Sequence, residues 1–261
     1  MAIVQLPMGA PCWFELSSTN PDASSAFYAA LFGWKAQVLH TGVGPYSFLR
    51  NATGTIGALA GMPPGVDGPS RWGVYFAVAN VDACLAKAKT LGGSEIMAPF
   101  DVPEMGRSVF LADPGGAVFA LWQSAQSSGG DFAMFGENAF GWVELATRDV
   151  TGMRAFYGEL LGWTYKESPM PNFEQLKYTE YSVEDVRYGG LLPMTKEWGD
   201  MPSHWSLYVI VADTDAILKR AEELGGSVCV PAFDAPGVGR IGMIGDPTGA
   251  LTYVIALSAQ S

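Results

Sequence analysis

The spacing of apolar residues changes within short stretches of the chain. The segment WFELSSTNPDASSAFYAALFGW (13–34) begins with the alternation of a strand and continues with apolar residues at the three- and four-residue spacing of a helix. Asn20 followed by Pro21 is typical of a helix N-cap and first turn, and Gly33 is typical of a helix end. We predict that Phe27 of this helix packs against the sheet, together with its neighbours Tyr28 and Leu31.

The same order of elements follows a second time. In WGVYFAVANVDACLAKAKTLGG (72–93) a strand pattern leads to Asn80 as a helix cap, and Gly92 and Gly93 mark the helix end. Short alternating runs separated by turn residues, such as GTIGALAGM and RSVFLAD, come after each helix. The pattern therefore predicts a βαβββ unit that occurs twice before residue 125.

The second half of the chain repeats the first. Three pairs of segments match: 11–28 with 140–157, 71–101 with 204–234, and 106–122 with 239–255. We predict an α+β fold of four βαβββ units in two modules, in which curved mixed sheets surround cavities and the helices lie outside. The predicted boundaries are 9–125 for the first module, 126–136 for a linker and 137–258 for the second module.

Composition limits the classes of partner. The 261 residues carry a formal net charge of −11, and 49% of them are hydrophobic, so the chain can bury a core but offers no basic surface for nucleic acid. No apolar run reaches the length of about 20 residues that spans a bilayer, and the N-terminus does not have the pattern of a signal peptide. Three scattered cysteines indicate neither a disulfide framework nor a zinc site. We expect a cytoplasmic protein, a monomer or homodimer, with a small-molecule partner and neither nucleic-acid nor membrane partners.

Three motifs recur in both halves in the same order. They are FYxxLxGW in the first helix, VANVDA or VADTDA at the start of the second helix, and DPGGA or DPTGA between the last two strands. With these motifs the chain resembles the vicinal oxygen chelate superfamily (glyoxalase I, extradiol dioxygenases and bleomycin-resistance proteins), in particular its two-module actinobacterial type. The resemblance covers about residues 9–257 and implies two glyoxalase-like modules.

The resemblance also implies where a metal would be bound in members that use one. Each module of such a member takes ligands from its first strand, from the matching strand of its second unit and from its last strand. The corresponding positions here are Trp13, Gly73 and Ala120 in the first module, and Trp142, Ser206 and Tyr253 in the second. Tryptophan, glycine and alanine side chains cannot coordinate a cation, and neutral serine and tyrosine coordinate poorly. We therefore expect no metal and no other cofactor.

A glutamate follows two residues after Trp13 and two residues after Trp142. Since strand residues alternate between faces, Glu15 and Glu144 share the inward face with Trp13 and Trp142, and they are candidate acid–base groups, with His204 as a candidate catalytic partner. An alternative is that the two glutamates only form ion pairs with Arg107 and Arg240. The predicted ligand-binding residues are Trp13, Arg71, Tyr75, Trp122, Trp142, Ser206, Tyr208 and Tyr253.

Three functions fit these features. The first is a metal-independent protein that sequesters or carries a planar, partly apolar or aromatic small molecule, as bleomycin-resistance relatives do. The second is a metal-free enzyme that uses a cavity glutamate as acid or base on a natural product or an aldehyde-derived metabolite. The third is a metal-dependent lyase or dioxygenase, which rests on the fold resemblance alone.

Overall fold

The computed structural model describes residues 6–41, 44–63, 65–125, 132–170 and 173–258. Within these ranges the α+β prediction is confirmed: sixteen strands form two eight-stranded mixed sheets, and four α-helices accompany them. None of the helices in these ranges is both long and apolar enough to cross a bilayer. The predicted linker residues 126–131 lie outside the described residues.

The first module contains two βαβββ units in sequence order. Its elements are β1 (Pro11–Ser18), α1 (Pro21–Phe32), β2 (Lys35–Thr41), β3 (Gly44–Arg50), β4 (Thr55–Gly61), β5 (Arg71–Ala77), α2 (Val81–Thr90), β6 (Ser94–Val102), β7 (Gly106–Ala112) and β8 (Val118–Ser124).

The second module repeats that order. Its elements are β9 (Phe140–Thr147), α3 (Val150–Leu161), β10 (Thr164–Met170), β11 (Phe173–Val183), β12 (Val186–Pro193), β13 (His204–Ile210), α4 (Thr214–Glu223), β14 (Ser227–Ala235), β15 (Gly239–Gly245) and β16 (Leu251–Leu257). A single turn of 3₁₀ helix, Lys196–Trp198, precedes β13.

Both sheets have the same strand order. The first sheet runs β2-β3-β4-β1-β5-β8-β7-β6, and the second runs β10-β11-β12-β9-β13-β16-β15-β14. The first strand of each unit pairs in parallel with the last strand of that unit, as β1 does with β4 and β13 does with β16, whereas the hairpins are antiparallel. In both sheets, therefore, the parallel pairs lie towards the middle and the hairpins towards the edges.

The helices begin and end as their sequences predict. At each N-terminus a cap side chain accepts a hydrogen bond from the backbone N–H three residues later; the four caps are Asn20, Asn80, Asp149 and Asp213. Helices α1 and α3 end at Gly33 and Gly162 in the left-handed conformation, with φ of 71° and 75°. Phe27, Tyr28 and Leu31 of α1 are buried, as the FYxxLxGW motif predicts.

By packing, the chain divides into two compact units, and each unit combines segments of both modules. Unit 1 is formed by the described residues of Met1–Trp13, Val74–Asp131 and Val143–Trp205, and unit 2 by those of Phe14–Gly73, Phe132–Trp142 and Ser206–Ser261. The core of unit 1 is an aromatic cluster of Phe76, Phe119, Tyr157, Trp163 and Trp205. The core of unit 2 is the matching cluster of Tyr28, Phe32, Trp34, Trp72 and Phe140.

The aspartate of the DPxGA motif connects a turn of one module to a helix of the other. In unit 1, Asp113 accepts hydrogen bonds from the backbone N–H groups of Gly115 and Ala117, and Tyr157 of α3 donates its hydroxyl to the same carboxylate at 2.9 Å. In unit 2, Ser24 of α1 donates to Asp246 at 2.9 Å. Because both carboxylates are almost fully buried, these donors compensate for their lost hydration.

We expect Tyr157→Phe to lower the free energy of unfolding by about 1–3 kcal/mol, since a buried carboxylate loses a donor. Burial raises the pKa of Asp113 above its ordinary value, and its hydrogen bonds partly offset that shift. The ionised carboxylate needs the Tyr157 donor more than the protonated form does. The loss of unfolding free energy in Tyr157→Phe should therefore be larger at pH 7 than at pH 4, which is close to the ordinary pKa of an aspartate. Urea unfolding at both pH values measures the difference.

Tyr181→Phe is the matched control. The Tyr181 ring stacks on Trp163 at 3.8 Å between centroids in the same unit, and its buried hydroxyl has no hydrogen-bond partner among the residues described. Removal of this hydroxyl should leave stability unchanged or raise it. Equal losses in the two variants would contradict the role given to the Tyr157–Asp113 hydrogen bond.

Candidate functional site

Glu15 lies on β1 in unit 2 and is held by a tyrosine. Tyr46 of β3 donates its hydroxyl to Glu15 Oε2 at 2.8 Å. Both Glu15 and Phe48 are in register with Ala58 of β4, so they share one face of the sheet, and Phe48 packs edge-on against Tyr46 at 5.9 Å between ring centroids. Glu15 is half-buried, and this face combines a carboxylate with two aromatic rings.

Glu144, in unit 1, also accepts a hydrogen bond from a tyrosine hydroxyl. Tyr178 of β11 donates its hydroxyl to Glu144 Oε2 at 2.6 Å, and Glu144 is only 6% exposed. Gly190 of β12 is in register with Glu144, and a Cβ atom there would lie 2.3 Å from the Tyr178 oxygen. The Tyr178 hydroxyl therefore lies against the bare backbone of Gly190, whereas in the first module Tyr46 reaches Glu15 beside Ala58.

The alternative pairing of these glutamates with arginines is wrong. Arg107 instead donates to Asp82 and Asp101, and Arg240 donates to Asp215 and Asp234. The reason is strand register: Asp101 is directly opposite Arg107 on the neighbouring strand, and Asp234 is directly opposite Arg240. Hydrogen bonding to the two guanidinium groups lowers the pKa of Asp82 and of Asp215 below their ordinary values.

Tyr75 and Trp122 belong to an aromatic face on the β5–β8 half of the first sheet. The Tyr75 ring packs edge-on against Phe110 at 5.6 Å, and Phe110 stacks with Phe100 at 6.2 Å. Trp122 is in register with Ser108, which is in turn in register with Phe100, so all four aromatic side chains project from the same face. Trp122 is half-buried on this face.

The corresponding half of the second sheet also carries an aromatic face. The rings of Tyr208 and Tyr253 stack with centroids 4.5 Å apart and planes 10° from parallel. Ile241 and Ile255 are buried with Tyr208, and Trp142 packs against this cluster. Three predicted ligand-binding residues, Trp142, Tyr208 and Tyr253, therefore belong to a single apolar cluster.

The remaining predicted residues lie on the central strands β1, β5 and β13. His204 is half-buried at the start of β13, where its Nδ1 is 2.9 Å from the Pro202 carbonyl oxygen; this contact assigns the proton to Nδ1 and leaves Nε2 as an acceptor in the neutral ring. Ser206 and Trp13 are half-buried, and Arg71 is exposed. His40 is part of β2.

The metal-ligand positions that the resemblance assigns do not fit a metal ion. Trp13, Gly73 and Ala120 offer no lone pair to a cation, and the phenol ring of Tyr253 is stacked on Tyr208. In the described ranges, His, Cys, Asp and Glu side chains form no group of three or more that could hold a metal ion. The donor set at these positions therefore differs from that of a metal-binding member.

Tyr46 and Tyr178 are the functional candidates that sequence reasoning missed. They occupy equivalent strands of the two modules, and each donates to the repeated glutamate of its own module. The internal repeat contains the signal: a tyrosine follows the first strand and helix of each module, in YSFLRN and in YTEYSV. A carboxylate on the inward face of a sheet predicts a hydroxyl donor on the same face.

The chain belongs to the glyoxalase/bleomycin resistance protein/dioxygenase superfamily, whose family model matches residues 12–121 and 139–253. Among its relatives is CFP32 of Mycobacterium tuberculosis (strain CDC 1551 / Oshkosh), which is 34% identical over 97% of this chain and 96% of that protein. The anthracycline biosynthesis protein DauV of Streptomyces sp. (strain C5) is 35% identical over 95% of this chain and 94% of DauV.

Solved structures share the fold at low sequence identity. The Mn(II)-bound glyoxalase from Novosphingobium aromaticivorans superposes with a TM-score of 0.65 at 15% identity, covering 96% of this chain and 82% of that one. The 2,3-dioxygenase LapB from Pseudomonas sp. KL28 gives a TM-score of 0.67 at 10% identity, covering 99% of this chain and 95% of LapB. At such identities the likeness concerns the fold and not the chemistry.

We expect Gly190→Ala to displace Tyr178 from Glu144 and to lower stability by about 1–3 kcal/mol, the usual cost of overpacking. Gly73→Ala is the matched control, because a Cβ there would meet only the Glu15 carbonyl oxygen at 3.7 Å, an ordinary contact. Urea unfolding measures the stability of both variants, and a crystal structure of Gly190→Ala measures the Tyr178–Glu144 distance. An unchanged Tyr178–Glu144 distance in Gly190→Ala would contradict this prediction.

Proposed function

We propose that the protein binds a planar, partly apolar small molecule without the help of a metal ion, as a sequestering or carrier protein of the glyoxalase/bleomycin-resistance type. The observation that carries this proposal is the Glu15–Tyr46 pair beside Phe48, on a sheet whose metal-ligand positions are tryptophan, glycine and alanine. An aromatic surface with a few well-placed polar groups is typical of a small-molecule site.

The chemical class of ligand follows from this surface and from a relative. A carboxylate that already accepts a tyrosine hydroxyl can accept a further hydrogen bond from a ligand N–H or O–H group, and aromatic faces favour a flat, conjugated molecule. The similarity to DauV, which is described as an anthracycline biosynthesis protein, supports a polycyclic aromatic ligand that bears hydroxyl groups. The net charge of −11 favours a neutral or cationic molecule over an anionic one.

The first sheet is the better candidate for this ligand. In the second sheet Tyr253 stacks on Tyr208 within a buried apolar cluster, which occupies the face. The residue equivalent to Tyr253 in the first sheet is Ala120, and Tyr75, Phe100, Phe110 and Trp122 provide the aromatic face there. Trp13, Tyr75 and Trp122 of unit 1 and Arg71 of unit 2 stay proposed ligand contacts, each within its own unit.

A second candidate function is metal-free catalysis. The repeated glutamate–tyrosine pair favours it, because a carboxylate beside a phenol can take a proton from a bound substrate while the phenol keeps the carboxylate oriented. In that case Glu15 or Glu144 is the acid–base group, and His204 assists through its Nε2 atom. The substrate would be of the same hydroxylated aromatic class, or an aldehyde-derived metabolite.

The cellular setting is part of the proposal. We infer a cytoplasmic protein that acts as a monomer or homodimer, since the duplicated chain provides two modules of the kind that single-module relatives pair. The module boundaries that we propose remain 9–125 and 137–258, joined by residues 126–136.

We expect 1,4-dihydroxyanthraquinone to quench the tryptophan fluorescence of the protein saturably in buffer that contains EDTA. Tyr46→Phe should weaken this binding by about 2- to 12-fold, the equivalent of one hydrogen bond of 0.5–1.5 kcal/mol, because the Glu15 carboxylate loses its orienting donor. Glu144→Gln, in the second sheet, is the control and should leave the affinity unchanged. Saturable binding that appears only after a divalent metal is added would contradict the proposal.

The catalytic alternative has its own test. Prolonged incubation of the protein with the same hydroxyanthraquinone, followed by mass spectrometry, shows whether the molecule is converted. Conversion by the wild type that is lost in Glu15→Gln or Glu144→Gln, while binding persists, would favour the enzyme over the carrier. Recovery of the unchanged molecule at all protein concentrations would favour the carrier.

A further inference from the structure

One arginine differs from all the others in the part of the chain that the structure describes. Arg71 begins β5, its side chain is exposed, and no hydrogen bond or ion pair joins it to another described residue. Each of the other arginines donates to a carboxylate, a hydroxyl or a backbone carbonyl, as Arg240 does to Asp215 and Arg50 does to Thr55. The N–H donors of Arg71 are therefore available to solvent or to a ligand.

Arg71 and Glu15 project from the same face of the first sheet. Strands β5 and β1 are neighbours in that sheet. Trp72 of β5 and Phe14 of β1 both pack edge-on against Phe140, with ring centroids 5.0 Å and 4.6 Å away, in the aromatic core of unit 2. Since strand residues alternate between faces, the residues next to these two aromatics, Arg71 and Glu15, lie on the face opposite that core.

Gly73 lies on this face beside Glu15 and has no side chain. A Cβ atom built on Gly73 would meet one heavy atom within 4 Å, the Glu15 carbonyl oxygen at 3.7 Å, which is an ordinary contact. Arg71 is two residues away on the same strand, a distance of about 7 Å. Gly73 therefore leaves room for the flat ring of a ligand against the sheet between Arg71 and Glu15.

The carboxylate and the guanidinium group are held at different places on this face. Tyr46 of β3 donates its hydroxyl to Glu15, and β3 lies on the opposite side of β1 from β5 in the strand order. Nη1 of Arg71 is near the loop that precedes β5, since a Cβ atom on Gly68 would lie 3.9 Å from it. A ligand on this face therefore meets an acceptor and a donor at separate points.

These two groups define complementary parts of a ligand. The planar guanidinium group has parallel N–H donors whose spacing matches the two oxygens of a carboxylate. The ionised Glu15 carboxylate only accepts, so it requires a hydroxyl or another donor. The net charge of −11 acts on an anion from a distance and is screened within about 8 Å at physiological salt, whereas Arg71 acts by direct contact.

We propose that Arg71 is the specificity-determining residue of this face, and that the ligand is a hydroxylated polycyclic aromatic carboxylic acid. Its carboxylate binds the Arg71 guanidinium group, a phenol O–H donates to Glu15, and a ring lies over Gly73. The inference rests on the proposed function, because it adds an acidic group to the aromatic molecule proposed there.

The test compares 1,4-dihydroxyanthraquinone-2-carboxylic acid with its 2-carboxamide, which has the same rings and hydroxyl groups but no charge. Tryptophan fluorescence at pH 7 in buffer with EDTA measures both affinities. We expect the wild type to bind the acid about 2- to 5-fold more tightly than the amide, the range of an exposed ion pair. The preference should fall when NaCl is raised from about 0.05 M to about 0.5 M, since salt screens the pair.

Arg71→Gln is the decisive variant. It should fold, since Arg71 is exposed, and it should abolish the preference for the acid while the amide keeps its wild-type affinity. Arg71→Lys retains the charge without the planar fork and should retain part of the preference. Lys219→Gln is the matched control: it removes one positive charge from an exposed position of α4 in the same unit, and the preference should be unchanged.

The outcomes separate this inference from the proposed function. Equal affinities of the wild type for the acid and the amide would overturn the assignment of Arg71, whereas the aromatic site would stand. A preference that survives in Arg71→Gln, or that is lost equally in Lys219→Gln, would also overturn it. If the wild type binds neither molecule and does not bind 1,4-dihydroxyanthraquinone, the proposed function and the inference are both overturned.

Discussion

The buried carboxylate of the DPxGA turn is the interaction on which the architecture depends. Asp113 belongs to a turn of the first module, yet the hydroxyl that it accepts comes from Tyr157 on α3 of the second module. Asp246 makes the converse connection to Ser24 on α1. An isolated buried carboxylate is unfavourable, so each turn requires a helix of the other module. The result is two compact units that each contain segments of both modules.

Much of the fold could be predicted because its signals are local. Helix caps such as Asn20, glycine helix ends such as Gly33 and the alternation of strands act over a few residues, and the internal repeat shows that each pattern is used twice. The partners of Glu15 and Arg107 could not be predicted in this way. They depend on which residues of neighbouring strands are in register, and alternation alone leaves that register open.

The two copies differ at positions where one has a larger side chain than the other. Gly190 lies against Tyr178 where the first module has Ala58, and Tyr253 stacks on Tyr208 where the first module has Ala120. Thr248 contributes a hydroxyl to a hydrogen bond with Ser24, whereas the aligned residue Gly115 has no side chain. These differences leave the elements in place and change only which side chains fill each sheet face.

The central claim is that small-molecule recognition in this chain does not need a metal. Elemental analysis of the purified, untagged protein, followed by melting curves with added Mn²⁺, Zn²⁺, Ni²⁺ or Fe²⁺, tests it most directly, because an ion that binds the folded state raises the melting temperature. The account predicts less than stoichiometric metal and no rise with any of the four ions. One metal ion per module, or a concentration-dependent rise, would contradict it and would favour a metal-dependent lyase or dioxygenase.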